Sequence, residues 1–240
     1  MSLTDTRAGG APLPEITLAD LEEDPEIVRL RQQSMSARLR MSIVDMRQAT
    51  RQLLDDRLTE ARLLFFVLMS DVIFFLNFGV KFVLSPQADG FRDALPTSFA
   101  GAIGGVIALC FLVRTAALYL FSGVVTVVCR ILGGRGTWLD TRAGIFWASL
   151  VAAPVGVVGS LIVVALGYLE PTYPILGEQM LQLPAHLIGI VAFVYFVSAA
   201  VAEAQQFRRT SPVFIAFSAL SIGALVGVLA LAGMVLDMLA

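Results

Sequence analysis

Five long apolar stretches follow one another along the chain, separated by short segments that carry most of the polar residues. A helix of about 20 apolar residues is enough to cross a bilayer, and every stretch reaches that length. The predicted spans are residues 63–84, 98–128, 143–169, 184–204 and 213–239. The pattern therefore predicts an all-α integral membrane protein in which residues 63–240 form a domain of five transmembrane helices.

The segment before the first span divides into a tail and a helix. Residues 1–24 are rich in Gly, Pro and Thr and carry several carboxylates, which predicts a flexible acidic tail. Asp24 and Pro25 are typical of a helix start, as the N-cap and the first helical residue. Because no Gly or Pro follows before Gly79, we expect one cytoplasmic helix over residues 25–62 that continues into the first span. A straight continuation would project tens of Å from the membrane, and the sequence leaves open whether the helix projects or lies on the surface.

This helix is amphipathic, because apolar residues recur along one face while charged residues occupy the other. The apolar residues are Met35, Leu39, Ile43, Met46 and Leu53. Three interpretations remain open: a helix lying on the membrane surface, a helix docking on a partner, and a helix pairing with a second subunit. Mixed charge on the polar face disfavours the first, and Thr50 interrupts the stripe that a coiled coil needs. We expect these residues to dock another membrane protein or complex.

Charged residues are scarce, and their distribution predicts the orientation of the spans. Only 15% of the residues are charged, against roughly 25% in soluble domains. Basic residues concentrate near the spans on the cytoplasmic side of a membrane. Eight arginines lie on the side of the N-terminus, whereas Lys81 and Arg92 lie on the other: Arg51, Arg57, Arg62, Arg130, Arg135, Arg142, Arg208 and Arg209. The N-terminus is predicted to be cytoplasmic and the C-terminus periplasmic, in a bacterial inner membrane.

Two charged residues, Asp71 and Arg114, lie well inside apolar spans, where an ionised group costs several kcal/mol unless it is paired. Their depths in the first two spans are compatible, so we expect them to form an intramembrane ion pair. One interpretation is a structural lock between the spans. The other is a polar route through the bundle, with Asn77 and Tyr119 as neighbours.

The sequence carries no sign of catalysis or of a bound cofactor. It contains no HExxH, GxSxG or P-loop motif, and its one histidine, His186, has no second metal ligand close by in the sequence. Cys110 and Cys129 lie in an apolar helix, where thiols usually pack as small hydrophobic groups. We therefore predict no catalytic, cofactor or metal site, and no nucleic-acid partner.

Small residues recur at every fourth position of several spans, which lets helix backbones approach closely in lipid. The third span carries Gly144, Ala148, Ala152, Gly156 and Ser160 in one ridge. The ridges predict a compact bundle, with contacts in a homo-oligomer as the alternative. Pro154 is expected to kink the third span. Glu203 lies near a span end and is expected to be solvated, in a position where it could meet Arg208 or Arg142 across the cytoplasmic surface.

A glycine-rich motif joins the second and third spans. Its residues are Gly133, Gly134, Arg135, Gly136, Thr137 and Trp138, followed by Arg142, Trp147 and the central Pro154. The glycines are suited to a left-handed helix end and a tight reversal. This stretch resembles the bacterial branch of the Yip (Ypt/Rab-interacting protein) family, whose members have a cytosolic N-terminal region and five spans. The resemblance implies a non-enzymatic protein that organises membranes or other membrane proteins.

Two functions thus follow from the sequence. The favoured one is a non-enzymatic inner-membrane scaffold or accessory subunit that docks other membrane proteins in the bilayer. The alternative is a small transporter or channel with a polar route around Asp71 and Arg114. A wet cavity around Asp71 would favour transport, whereas a dry, paired site would favour the scaffold.

Overall fold

A computed structural model describes residues 35–56, 58–84, 99–177 and 179–223. Within these ranges every regular element of secondary structure is a helix. We number the α-helices α1 to α8. A π-helical turn at Leu109–Val113 joins α4 to α5, and a short 3₁₀ turn, Pro174–Gly177, precedes α7. The helices are α1 Met35–Val44, α2 Met46–Asp55, α3 Glu60–Leu84, α4 Phe99–Ala108, α5 Arg114–Ile131, α6 Trp138–Leu169, α7 Gln179–Ala204 and α8 Ser211–Gly223.

Four helical segments in the described part of the chain are long and apolar enough to cross a membrane. They are Glu60–Leu84, Gly104–Ile131, Trp138–Leu169 and Gln182–Ala204, which correspond to the first four predicted spans. The shorter apolar helix α8 lies where the fifth predicted span begins. Residues 224–240, which hold the rest of that span, lie outside the described residues. The membrane character is therefore supported, while the count of five remains a prediction.

The single N-terminal helix expected over residues 25–62 is wrong for the part that the structure describes. Asp45 adopts an extended conformation and its side chain accepts a hydrogen bond from the N–H of Gln48 at 3.0 Å, so it caps a new helix. Short polar side chains compete in this way with helix continuation. A second interruption separates α2 from α3, and Arg38 reaches Asp56 at 2.5 Å. The chain therefore folds back on itself instead of projecting from the bundle.

Helix α6 is the centre of the fold. Every residue from Thr141 to Ala152 is buried, because α1, α2, α3, α5 and α7 all pack around this half of the helix. Trp147 packs edge to face on Phe66 at 5.1 Å between ring centroids. Its indole N–H donates to the hydroxyl of Ser42 in α1 at 2.9 Å. One buried side chain thus ties the N-terminal segment to the centre of the bundle.

Helices α6 and α7 approach closely through small residues, as the ridge in the third span predicted. A Cβ atom on Gly144 would lie 3.3 Å from the carbonyl oxygen of Ala200, and one on Gly189 would lie 3.0 Å from Gly156 Cα. These contacts show that the ridge packs within the chain. Pro154 lies inside α6, which continues as a helix on both sides of it.

The glycine-rich turn ends α5 by the left-handed termination that its sequence predicted. Gly133 has a φ of +88°, and the N–H of Gly134 donates to the carbonyl of Cys129 at 2.7 Å. The side chains of Thr137 and Asp140 then cap the start of α6 reciprocally. This capping box places the start of α6 before residue 143, where the third predicted span begins.

The same turn also docks on the end of α7. The N–H of Arg135 donates to the carbonyl of Gln205 at 3.1 Å, and the Gln205 side chain donates to Thr141 Oγ1 at 2.5 Å. A Cβ atom on Gly136 would overlap the carbonyl oxygen of Ala204. Glycine is needed here because the backbone of α7 occupies the space of a side chain. We call the end of the bundle that carries α1, α2 and the turns 132–137 and 205–210 the N-terminal face.

Gly136→Ala should destabilise the protein by about 1–3 kcal/mol, because the added methyl group must push the turn away from Ala204. Thermal unfolding in detergent measures the effect. Gly123→Ala in α5 is the matched control, since no neighbouring atom lies within 4 Å of the position that its methyl group would take. Equal melting temperatures for the two variants would show that the turn does not depend on this close approach.

Candidate functional site

A buried polar cluster lies where α3, α5 and α6 meet. Arg114 forms an ion pair with Asp71 through Nη1 and Oδ1, and the hydroxyl of Thr115 donates to the other carboxylate oxygen at 2.6 Å. Nη2 of Arg114 donates to Ser70 Oγ at 2.8 Å and to Ser149 Oγ at 2.7 Å. The structure thus brings together the two charged residues that the sequence singled out, and both oxygens of the carboxylate are engaged.

The local backbone explains how Arg114 and Thr115 reach Asp71 together. The π-helical turn Leu109–Val113 ends immediately before Arg114 and changes the rotational register of the helix that follows. The guanidinium also lies over the ring of Phe74, with its Cζ atom 5.1 Å from the ring centroid. Asp71 is fully buried, whereas the Arg114 side chain is 21% exposed. One partner is therefore enclosed and the other reaches the edge of an open space.

That space is a cavity of about 370 Å³ among α3, α5, α6 and α7. It begins beside Arg114 and Ser149 and extends to Lys81 and Ser160. Asp71 does not line it. The remaining wall is mainly apolar and includes Phe74, Leu118, Ile190 and Phe193, together with small residues of α6 and α7. The cavity thus combines two cationic side chains with a hydrocarbon-like wall.

The two expected neighbours of the pair are not in the cluster. Asn77 lies on the cavity wall, and its side-chain oxygen is buried without a hydrogen-bond partner. Tyr119 lies closer to the N-terminal face, where its ring packs on Phe146 at 4.9 Å between centroids. The actual neighbours are Ser70, Thr115 and Ser149, which the sequence analysis did not single out. Their hydroxyl groups at positions inside apolar spans were the available signal, since such groups seek partners across helices.

Arg142 of the turn motif occupies a second polar position, at the N-terminal face. It forms an ion pair with Glu60 at the start of α3. Its Cζ atom lies 5.4 Å from the ring centroid of Tyr119 and 5.5 Å from that of Trp138. The motif residues Arg142 and Trp138 therefore act together to hold α3 and α5 against the beginning of α6.

The carboxylate of Glu203 joins α7 to α2, so the expectation of a solvated side chain is wrong, and its partners are not Arg208 or Arg142. Arg47 donates to Glu203 Oε2 at 2.9 Å and Arg51 donates to Oε1 at 2.7 Å. Arg47 also donates to the carbonyl of Phe207 at 2.8 Å. The hydrogen bond and the negative charge of Glu203 raise the pKa of Arg51 above its ordinary value. We call Arg47, Arg51 and Glu203 the clasp.

The residues expected to dock a partner are largely used within the chain. Met46 and Leu53 are buried in the core, and Met35 and Leu39 pack against it. Ile43 is 58% exposed, and its neighbour Val44 is 87% exposed. The stripe resembles a partner surface because the sequence does not show that α1 and α2 fold onto the bundle. Within the stripe, only its middle residue, Ile43, faces away from the protein.

The described residues contain no group of three or more His, Cys, Asp or Glu side chains able to hold a metal ion. Cys110 in the π-helical turn and Cys129 in α5 are buried free thiols. The structure therefore adds no metal-ligating cluster to the polar sites described above, within the ranges that it covers.

Asp71→Asn should cost about 3–5 kcal/mol of stability, because it leaves Arg114 without a counter-charge inside the bundle. The double variant Asp71→Asn with Arg114→Met should lose less, since it removes both charges. Unfolding in detergent, carried out on the wild type, on Asp71→Asn and Arg114→Met singly and on the double variant, gives the coupling between the two positions. Costs that simply add in the double variant would contradict a coupled ion pair.

Comparison with known proteins places the chain in a family. The family model described as the Yip1 domain matches residues 42–232, which is most of the chain. The match begins within α1, so α2 and the clasp lie inside the domain. Searches of characterised proteins and of solved structures gave no match. The match confirms the resemblance carried by the glycine-rich turn, and the chain belongs to the Yip1 family of membrane proteins.

Proposed function

We propose that this protein is a non-enzymatic scaffold or accessory subunit of a bacterial inner membrane, and that it docks another membrane protein on its N-terminal face. In this proposal the N-terminal face is cytoplasmic and the C-terminus periplasmic. The arginines near the span ends support that orientation, because basic residues are retained on the cytoplasmic side.

The observation that carries the proposal is the fixed attachment of α1 and α2 to the bundle. Ser42 of α1 accepts a hydrogen bond from Trp147 of α6, and the clasp binds α2 to the end of α7. A surface that is already rigid loses little conformational entropy when a partner binds. The N-terminal segment is therefore suited to present a defined docking surface.

Ile43 and Val44 supply the apolar part of this surface. They lie at the junction of α1 and α2, and both side chains are exposed outside the candidate spans. Arg40 and Asp45 are exposed close to them in sequence. An apolar centre with a charged surround is typical of a protein interface. The partner in this proposal is a different membrane protein, and a second copy of this chain is the outcome to distinguish from it.

The cavity beside Arg114 supports a second candidate, a small transporter or channel. A polar route would use Arg114, Asn77 and Lys81 as successive positions along the cavity wall. Against a route through the ion pair itself, Asp71 is fully buried and both its oxygens accept hydrogen bonds. We therefore favour the scaffold, for which a paired and enclosed site was the expectation.

The scaffold is tested by purifying the tagged full chain from its native membrane in mild detergent, as wild type and as Ile43→Ser/Val44→Ser. We expect a defined partner to accompany the wild type and to fall at least tenfold in the double variant. Ile131→Ser/Leu132→Ser is the matched control, since these residues are also exposed at the N-terminal face. Deleting the segment is unsuitable, because Met46 and Leu53 belong to the core.

The outcomes separate the candidates. Equal recovery of the partner with both double variants would remove Ile43 and Val44 from the docking surface. A complex that contains only this chain, measured by its mass, would replace the foreign partner with a homo-oligomer. Purification of a lone monomer in every case would contradict the scaffold function. Solute flux into liposomes that contain the wild type or the Arg114 and Asn77 variants would then test the transport function.

Glu203→Gln should loosen α2 without unfolding the bundle, because it removes the charge that two arginines share. The loss of about 1 kcal/mol expected for such a contact corresponds to roughly fivefold faster amide exchange in α2. Hydrogen exchange read by mass spectrometry measures this. Asp55→Asn removes a carboxylate from an exposed position of the same helix that accepts no hydrogen bond from Arg47 or Arg51, and it should change the exchange of α2 much less. Similar exchange rates in the two variants would mean that the clasp does not hold α2.

A further inference from the structure

Lys81 is a cation inside a candidate span with no counter-charge among the described residues. It lies on α3, three residues before the helix ends, and its side chain is partly buried on the wall of the 370 Å³ cavity. An unpaired charge in this position is costly, and such residues in spans mark ligand or ion sites. Long cationic side chains near helix ends also reach toward the membrane surface, yet here the side chain lines a cavity between helices.

Asn77 lies one helical turn before Lys81 and faces the same cavity. Its side-chain oxygen is buried and accepts no hydrogen bond. An unsatisfied polar atom of this kind costs about 1–3 kcal/mol and calls for an explanation. Rotation of the amide exchanges its oxygen and its NH₂ group, so Asn77 is able to donate to a negatively charged ligand held by Lys81.

Charge balance around the cavity favours an anion. Arg114 and Lys81 both line it, and no carboxylate among the described residues does. Asp71 does not line the cavity, but it neutralises the charge of Arg114. Within the described ranges, one positive charge, that of Lys81, therefore remains uncompensated. A ligand with a single negative charge would neutralise it and would also meet the amide of Asn77.

The rest of the cavity suits a hydrocarbon chain. Along α6 the wall runs from Ser149 to Ser160, which corresponds to roughly 16 Å of helix. Ala152, Ala153 and Gly156 on this stretch keep the space open. The cavity is long and mostly apolar, so it is poorly matched to a small hydrated anion, which needs polar contacts on every side.

The cavity also borders the outer surface of the bundle. Two of its lining residues, Phe74 and Ile190, are 43% and 50% exposed. They belong to α3 and α7, so the cavity reaches the lipid-facing side of these two spans. A molecule dissolved in the membrane therefore has access without passing through water.

From these observations we propose that the cavity binds an acidic phospholipid, with its anionic headgroup at Lys81 and Asn77 and an acyl chain along Ala153 and Phe193. The site is separate from the N-terminal face and extends the proposed function from docking a protein to holding a specific lipid. It requires no partner protein and no chemical step.

Native mass spectrometry of the full chain in detergent tests the proposal. The protein is titrated with phosphatidylglycerol and, separately, with phosphatidylcholine of the same acyl chains. We expect one phosphatidylglycerol to bind at least tenfold more tightly than phosphatidylcholine. Lys81→Met should abolish this preference and Lys81→Arg should retain it. Arg130→Met, which removes a charge from an exposed position away from the cavity, should bind as the wild type does.

A variant that keeps every charge tests the acyl-chain half of the site. Ala153→Leu should fill part of the cavity and weaken phosphatidylglycerol binding, while the melting temperature shows that the variant is folded. Asn77→Leu provides a second test of the headgroup position if Lys81→Met does not fold.

Several results would overturn the proposal. Equal affinity for the two lipids, or equal losses in Lys81→Met and Arg130→Met, would show only general attraction of acidic lipid to a cationic protein. Displacement of phosphatidylglycerol by inorganic phosphate at a similar concentration would show that the hydrocarbon part is not recognised. The cavity would then be a site for a soluble anion, as the transport function requires.

Discussion

A guanidinium inside an apolar bundle must be neutralised there, and the packing of the three helices around Arg114 depends on that constraint. Asp71 supplies the counter-charge, and the hydroxyls of Ser70, Thr115 and Ser149 occupy further donors and acceptors. These side chains come from three helices, and each contact requires one rotation and one depth of the helix that carries it. An ion pair of this kind adds little net stability, but breaking it is expensive. It therefore specifies one arrangement of α3, α5 and α6.

The N-terminal face is organised by a second set of contacts, in which the backbone is as important as the side chains. The turn after α5 lies directly against the end of α7, because Gly136 leaves no side chain between them. Trp147 then holds α1 through Ser42, and Glu203 holds α2 through Arg47 and Arg51. The outcome is a bundle that is closely packed at this face and more open toward Lys81, where small residues of α6 border the cavity. The proposed docking surface and the proposed lipid site lie in these two different parts.

Several features could be predicted because they depend on local sequence alone. The first four spans follow from the length of their apolar stretches, and the helix end at Gly133 follows from the freedom of glycine at positive φ. The pairing of Asp71 with Arg114 follows from the cost of a lone charge in lipid, whatever the rest of the fold. The prediction for the segment before the first span is wrong for the opposite reason. Its apolar stripe looks the same whether it covers a partner or the chain's own bundle. Asp45 caps a new helix at the point where the chain turns to bury Met46 and Leu53 in the core.

The sequence by itself determined a helical membrane protein of the Yip1 family, with a charged pair inside it and a glycine turn at one end. The apolar helices and the charged pair follow from the solvent, since lipid demands apolar surfaces and satisfied charges. The turn follows from the backbone freedom of glycine. Only the tertiary structure decided which hydroxyls complete the ion pair, that Glu203 binds Arg47 and Arg51, and that Lys81 and Asn77 share a cavity. These outcomes depend on the rotation and spacing of helices far apart in sequence, and many side chains together fix that geometry, so no local pattern encodes it.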